Sequence, residues 1–396
     1  MRLMYCVKFK DVFPFIKNGA NIKQEANAGG IPITRIETLA GGEFNTSRLG
    51  YANIFDISPY YEYVLNSGDI LMSHINSPAY LGRAVVFEDK YDIVIHGMNL
   101  LRLKANKELI DSRYAVYLFS GNIFKEHIRK ITKKSVNQAS FSINDLKEIE
   151  LQLPSIENQV IVAEKLDKLK LLIKKKNKLI VFLDEMIKSR FVDLFGDIEL
   201  NDRKWKKIKF GELIKLANNG LARRGNDKEG NIVLRLIELQ ENLINYSDPN
   251  RILLTDDEKK RYRLLEGDLL FARVNGNPKN VGRCATFYKY KEQVYHNDHI
   301  IRTSCDKSQL DSVFAAYLFN SEYGKNRISR KIKTSAGQYT INQDGLKSIE
   351  IILPPIGIQY SFAEFVKQIN KLKSDVQKSI DETQLLMDSL MQEYFG

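Results

Sequence analysis

Cysteine is nearly missing from this chain, with only Cys6, Cys284 and Cys305 among 396 residues. An odd count without Cys-x-x-Cys spacing argues against a disulfide framework or a zinc site, and reads as reduced thiols in a core. Long hydrophobic runs are missing too. No window approaches the roughly 18 successive apolar residues of a membrane span, so no membrane partner is expected. Met1 to Asp11 contain no apolar run followed by a small-residue cleavage site, so no secretory signal is expected and the chain reads as cytoplasmic. There is no Gly-x-x-x-x-Gly-Lys-Ser/Thr loop and no Gly-x-Gly-x-x-Gly after a strand, which leaves nucleotide binding without a motif.

Positive charge is in surplus. The formal charge is +11 and the pI about 9.2, which favours a polyanionic partner such as double-stranded DNA, because cations that neutralise phosphates release counterions. Charge alone does not decide the matter; the organisation of the chain does.

The sequence repeats at about 200 residues. Val94-Ile95-His96-Gly97-Met98-Asn99-Leu100-Leu101-Arg102 aligns with Val294-Tyr295-His296-Asn297-Asp298-His299-Ile300-Ile301-Arg302. Gly68-Asp69-Ile70-Leu71 and Gly82-Arg83 return as Gly267-Asp268-Leu269-Leu270 and Gly282-Arg283, with one residue inserted between. Gln138, Leu153, Pro154 and Gln159 return as Gln338, Leu353, Pro354 and Gln359, and the halves end in Phe195-Gly196 and Phe395-Gly396. A period this long marks a duplicated domain rather than a solenoid.

Within each half, short β-branched and aromatic runs (Asp69 to Met72, Arg83 to Phe87, Ile93 to Leu103) read as strands. Tyr114 to Arg129 and Phe314 to Lys331 read as helices that close the unit, making it α+β. After the Leu-Pro pair, Glu157 to Leu194 has neither Pro nor Gly and reads as one long helix. Its residues Leu166, Leu169, Ile173, Lys176, Ile180, Leu183, Ile187, Arg190 and Leu194 step by three and four, the spacing of a coiled-coil seam. Val366, Ile369, Lys373, Val376, Ile380, Thr383, Met387, Leu390 and Tyr394 repeat it. A helix of about 40 residues is about 60 Å long and would overhang its own domain, so the two seams are expected to pair with each other. The expected fold is therefore two tandem α+β domains, 1–154 and 197–354, separated by two long antiparallel coiled-coil helices, 155–196 and 355–396. The whole would carry an internal pseudo-twofold repeat, with the α+β units at opposite ends.

No catalytic residues emerge. Asn76-Ser77-Pro78-Ala79-Tyr80 lacks the second proline of the Asn-Pro-Pro-Tyr motif of DNA amino-methyltransferases, and its counterpart contains Asn275-Gly276-Asn277-Pro278. His296 and His299 face His96 and Asn99 in the other half, which favours strand residues over a metal site. Asp256-Asp257-Glu258, followed by Lys259-Lys260-Arg261, reads as a solvated helix face. What remains are residues suited to base edges and phosphates. Lys133, Lys134, Ser135, Asn137 and Gln138 form one cluster, matched by Lys333, Ser335, Gln338 and Tyr339. A second is Arg273-Val274-Asn275-Gly276-Asn277, opposite Ser73-His74-Ile75-Asn76-Ser77, from which Arg273, Asn275, Asn277, His74 and Asn76 are candidates. Asn218 to Asn226, with Arg223 and Arg224 flanked by Gly220 and Gly225, is a third.

These features resemble the specificity subunits of type I restriction-modification systems over the whole chain. Leu153-Pro154-Ser155-Ile156-Glu157-Asn158-Gln159 and Leu353-Pro354-Pro355-Ile356-Gly357-Ile358-Gln359 carry the resemblance most specifically. It implies two target-recognition domains, each reading one half of a bipartite DNA site, with helices that set the spacer and dock two methylation subunits. Restriction subunits would join through the methylation complex. No cofactor is implied in this chain; S-adenosylmethionine, ATP and Mg are expected in the partners. Family members often carry Trp near the start of each half, and here only Trp205 fits. The residues alone also leave open a stand-alone sequence-specific DNA-binding regulator, or a helical scaffold that never touches DNA.

Overall fold

The computed structural model describes residues 4–25, 28–88, 93–134, 138–335 and 337–396. Its packing forms two compact units, Met1–Asn177 with Lys378–Gly396, and Lys178–Gln377. Among the described residues no helix is long and apolar enough to cross a membrane.

In the first unit a four-stranded antiparallel sheet runs Phe15–Asn18, Leu100–Lys104, Ile70–Ser73, Ala84–Val86. The second unit repeats it as Ile214–Asn219, Ile300–Cys305, Leu269–Ala272, Cys284–Thr286. Each Gly-Asp-Ile/Leu-Leu motif thus supplies a central strand. Its aspartate is buried against the arginine of the neighbouring central strand: Arg102 Nη2 lies 2.7 Å from Asp69 Oδ2, and Arg302 Nε lies 2.6 Å from Asp268 Oδ2. Two repeated sequence signals therefore meet as one buried ion pair. Breaking such a pair strands a charge in low dielectric, which is why both partners recur together.

The run Ile93 to Leu103 is not one strand. The chain turns at Asn99, whose φ of +74° suits a short polar side chain, and the strand begins at Leu100. In the second half the same run splits into Val294–His296 and Ile300–Cys305, the former joining Asn231–Leu234 and Arg251–Ile252 in an extra three-stranded sheet. The closing helix is likewise two helices in each unit, Ser112–Ser120 with Asn122–Ile131, and Ser312–Asn320 with Glu322–Ser329. Gly121 forms the first break, where an added Cβ would lie 2.4 Å from Phe395 Cβ.

The long helices span Ile156–Phe195 and Ile356–Phe395. In the first unit, Leu166 shares a core with Met387, Leu390 and Tyr394. Lys176 Nζ there donates to Ser379 O and Oγ at 2.8 Å each, and to Thr383 Oγ1 at 2.7 Å. In the second unit, Leu183 and Ile187 share a core with Val366 and Ile369. Lys373 Nζ meets Asp184 Oδ1 at 2.5 Å, and the Arg190 guanidinium lies 5.9 Å from the Phe365 ring centre. Contacts run from low numbers on one helix to high numbers on the other, so the pairing is antiparallel in each unit. The seam residues are all buried or half-buried, as the three-four spacing requires.

The Leu-Pro-to-Gln segment has a structural reason. Gln159 is fully buried; its Oε1 accepts from Asp111 N at 3.1 Å, and its Nε2 donates to Leu109 O and Pro154 O at 2.9 Å each. Gln359 does the same with Asp311 N, Gln309 O and Pro354 O. One carboxamide thereby satisfies three backbone groups at the start of each long helix.

Burial holds the imidazoles of His74, His96 and His296 neutral, each with a pKa pushed down to about 4. Unfolding frees them to protonate near their ordinary value of 6.5, so the unfolded state binds more protons between those limits. Stability is expected to be fully present above pH 6.5 and to fall as the pH drops towards 4. Urea titrations across that window check this; in a His296→Gln variant the slope should be shallower. An unchanged slope would refute the assignment to His296.

Candidate nucleic-acid interface

Two candidate clusters that lie far apart in sequence are joined by a small antiparallel sheet in each unit. In the first, Ile75–Asn76 pairs with Ala139–Ser140, which pairs with Lys133–Lys134. In the second, Val274–Asn275 pairs with Gln338–Thr340, which pairs with Lys333–Ser335. Lys133, Lys134 and Gln138 are exposed, as are Lys333 and Gln338, while Tyr339 is half-buried. Ser135 and Asn137 lie outside the described residues, and Ser335 ends its strand. Such an array of cations and carboxamides on a short sheet can meet phosphates and base edges together.

The hydrogen bonds correct the alignment of the second cluster. Phe141 N donates to His74 O at 3.2 Å, and Ile341 N donates to Arg273 O at 2.9 Å. Arg273 therefore occupies the place of His74, not of Ser73. The extra residue of the second half falls after this strand. The two side chains there differ sharply: Arg273 is half-buried on the wall of a recess, whereas His74 is only 6% exposed. The structure moves His74 off the expected contact surface and into the interior beneath Phe141, whose ring centre is 6.3 Å away.

Asn76 and Asn275 are half-buried at their strand ends. Asn76 Nδ2 donates to Ser73 Oγ at 3.3 Å and its Oδ1 accepts from Ser77 N at 2.8 Å; Asn275 Oδ1 accepts from Asn277 N at 2.9 Å. Asn277 caps a short turn through Lys279 N. These asparagines shape the loops they sit in. The Pro78–Tyr80 segment is a 3-10 turn, with the Arg83 guanidinium 4.4 Å from the Tyr80 ring centre.

Arg223 and Arg224 are less available than the sequence suggests. Arg223 forms a two-pronged pair with Glu258, at 2.8 and 2.7 Å, and its hydrogen bonds hold the Glu258 carboxyl well below its usual range. Glu258 is thus committed, not merely solvated, within the helix Asp256–Tyr262. Arg224 Nη1 lies 2.7 Å from Asp298 Oδ1, and its Nη2 lies 3.0 Å from His299 Nε2. Partial burial lowers the His299 pKa, with Arg224 and Arg273 opposing its protonation and Asp298 favouring it.

Sequence reading missed Arg261 and Gln343, which share a recess of about 520 Å³ with Asn219, from the third candidate segment, and with Arg273 and Asp298. Only folding brings Asn219, Arg261 and Gln343 together, from one strand and two helices. Among the described residues no three His, Cys, Asp or Glu side chains group as metal ligands, and His296 Nδ1 is bonded to Tyr262 O at 3.1 Å.

Residues 3–181 and 202–383 each match the family described as the type I restriction modification DNA specificity domain. The type I restriction enzyme MjaX specificity subunit, so named in Methanocaldococcus jannaschii, is 28% identical over 390 residues, covering 92% of this chain and 86% of the relative. The EcoKI specificity subunit of Escherichia coli K12 is 23% identical over 304 residues, covering 72% of this chain and 64% of the relative. In fold, the chain is similar to the S subunit of the type I system from M. genitalium, with a TM-score of 0.61 and 13% identity over 100% of this chain and 96% of the other. A chain from a study of complex assembly and conformational transition in a type I system gives a TM-score of 0.54 and 14% identity, over 99% and 97%. The doubled match, falling on both repeats and both buried Asp-Arg ion pairs, places this chain in the type I restriction-modification DNA specificity family, as a specificity subunit with two such domains.

Proposed function

We propose that each α+β domain reads one half of a bipartite, gapped DNA site, using its small three-stranded sheet and the loops beside it. The chain is non-catalytic. Its paired helices set the unread spacer and dock two methylation subunits, which carry S-adenosylmethionine. Restriction subunits using ATP and Mg join through that methylation complex. A duplex rises about 3.4 Å per base pair, so rigid helices convert protein length into a count of unread pairs.

The observation that carries this reading is the contrast between scaffold and surface. Ion pairs, buried glutamines and sheets recur in both units, whereas His74 and Ile143 of one stand where Arg273 and Gln343 stand in the other. A reader of two different short sequences needs that combination: one frame, two faces.

Genome-wide methylation mapping tests it, in cells expressing the chain with its methylation subunit and in cells lacking the chain. A gapped two-part motif present only with the chain is expected. With an active methylation partner and no new motif, the reading fails. Gln338→Ala is expected to relax or weaken one half-site, by about 1–3 kcal/mol at the affected base pair, and to spare the other. Equal weakening at every sequence would instead give Gln338 a phosphate role.

A further inference from the structure

The recess in the second unit holds a pair of carboxamides whose hydrogen-bonding capacity is only partly used. Asn218 and Asn219 end the strand Ile214–Asn219, Arg273 directly precedes Val274–Asn275, and Gln343 opens the helix Gln343–Lys347. The Ile341 N to Arg273 O bond, 2.9 Å, ties the last two segments together beside the small sheet. All four side chains line the recess, with Arg261 on the same wall.

Gln343 Nε2 donates to Asn219 Oδ1 at 3.2 Å. That bond uses one donor group and one acceptor. It leaves the Asn219 Nδ2 hydrogens and the Gln343 carbonyl oxygen, and no further hydrogen bond of either carboxamide is found among the described residues. Asn218, in the same wall, donates from Nδ2 to Arg261 O at 3.1 Å, while its Oδ1 is buried without a partner. Both half-buried carboxamides are held in place, since Asn219 sits in a four-stranded sheet and Gln343 on a capped helix.

A donor beside an acceptor is the complement of one base edge in the major groove. Adenine presents the N7 acceptor and N6 donor together; guanine presents two acceptors, thymine an acceptor and a methyl group, and cytosine a donor. Only adenine satisfies both groups, and any other base leaves a polar group unpaired as water is excluded. The first unit keeps Asn18 at the place of Asn219, since Asn18 pairs with Leu101 as Asn219 pairs with Ile301, but has Ile143 where the second has Gln343. The carboxamide pair is therefore particular to the second unit.

We propose that Asn219 and Gln343 together read the major-groove edge of one adenine in the half-site recognised by the second unit, with Arg273 and Arg261 holding the backbone nearby. This rests on the reading of the chain as a two-part sequence reader.

The test uses the chain assembled with its methylation subunits and a duplex library randomised across both half-sites. The wild-type complex should demand an A·T pair at one position of one half-site. Gln343→Ile, which installs the residue of the first unit, should relax that demand by about five- to 150-fold and leave every other position unchanged. Gln343→Glu, nearly the same shape, keeps an oxygen that accepts from adenine N6 but loses the donor that holds Asn219 Oδ1, so it should relax the adenine demand at that position less than Gln343→Ile and leave every other position unchanged. A wild-type gapped motif that survives both substitutions intact would overturn this proposal alone. So would a loss equal at all sequences with a shallower salt dependence, which would make the recess a phosphate seat. A wild-type complex that selects no gapped motif would remove the underlying reading, and this proposal with it.

Discussion

Replacing Phe395 by alanine is expected to destabilise the first unit by about 3–5 kcal/mol, although the residue sits at the far end of the second long helix. Its ring is 1% exposed, in the same core as Phe9, Leu153 and Leu166, and lies 5.1 Å from the Tyr114 ring. Gly121 leaves just enough space for the helix end to enter, since a Cβ there would meet Phe395 Cβ at 2.4 Å. Deleting the ring removes its transfer energy and leaves a cavity in a closely packed core. Against a typical domain stability of about 5–15 kcal/mol, that loss is large. The single tryptophan makes the effect separable, because Trp205 belongs to the second unit, where its Nε1 donates to Phe195 O at 2.8 Å. Amide exchange on Phe15–Asn18 and Leu100–Lys104 should accelerate while the Trp205 fluorescence transition in urea keeps its midpoint. A matching drop in the Trp205 midpoint would show that the ring does not act through the first unit.

Asp268→Ala should do the reverse. It strands the Arg302 guanidinium, 6% exposed, in the middle of the second sheet, and breaking a buried pair this way costs about 3–5 kcal/mol. Asp268 also accepts from Leu265 N at 2.7 Å and from the Ser304 hydroxyl, so further groups lose their partner. The Trp205 midpoint should fall steeply, and exchange in the first unit should stay as it was. The double change Asp268→Leu with Arg302→Met should recover much of the loss, because apolar residues of similar volume replace a buried pair without the cost of desolvation. If the double variant is as unstable as the single one, the pair is not the reason this aspartate matters.

Much of the architecture was legible because duplication leaves periodic traces. A seam stepping by three and four is a helix-pair pattern whatever surrounds it, and every residue of it proved buried or half-buried. Short segments were harder. Asn99 turns the chain inside what looks like one continuous apolar run, and Gly121 divides what looks like one helix. Local composition does not reveal such breaks, because the contact that imposes the second of them comes from Phe395.

The candidate interface divides in the same way. Residue type and repeat position pointed to Lys133, Gln138, Arg273 and Gln338, and strand pairing gathers Lys133 and Gln338 into two small sheets, with Gln138 and Arg273 directly beside their strands. Residue type could not tell that His74 is buried, that Arg223 is already gripped by Glu258, or that Asn219 and Gln343 are hydrogen-bonded across the chain. By itself, then, the sequence determined the duplicated plan, the paired helices and the family, since periodicity and spacing are properties of the chain. Which polar side chains stand free at the surface was decided by tertiary structure alone, because burial and hydrogen-bond partners depend on segments brought together only by folding.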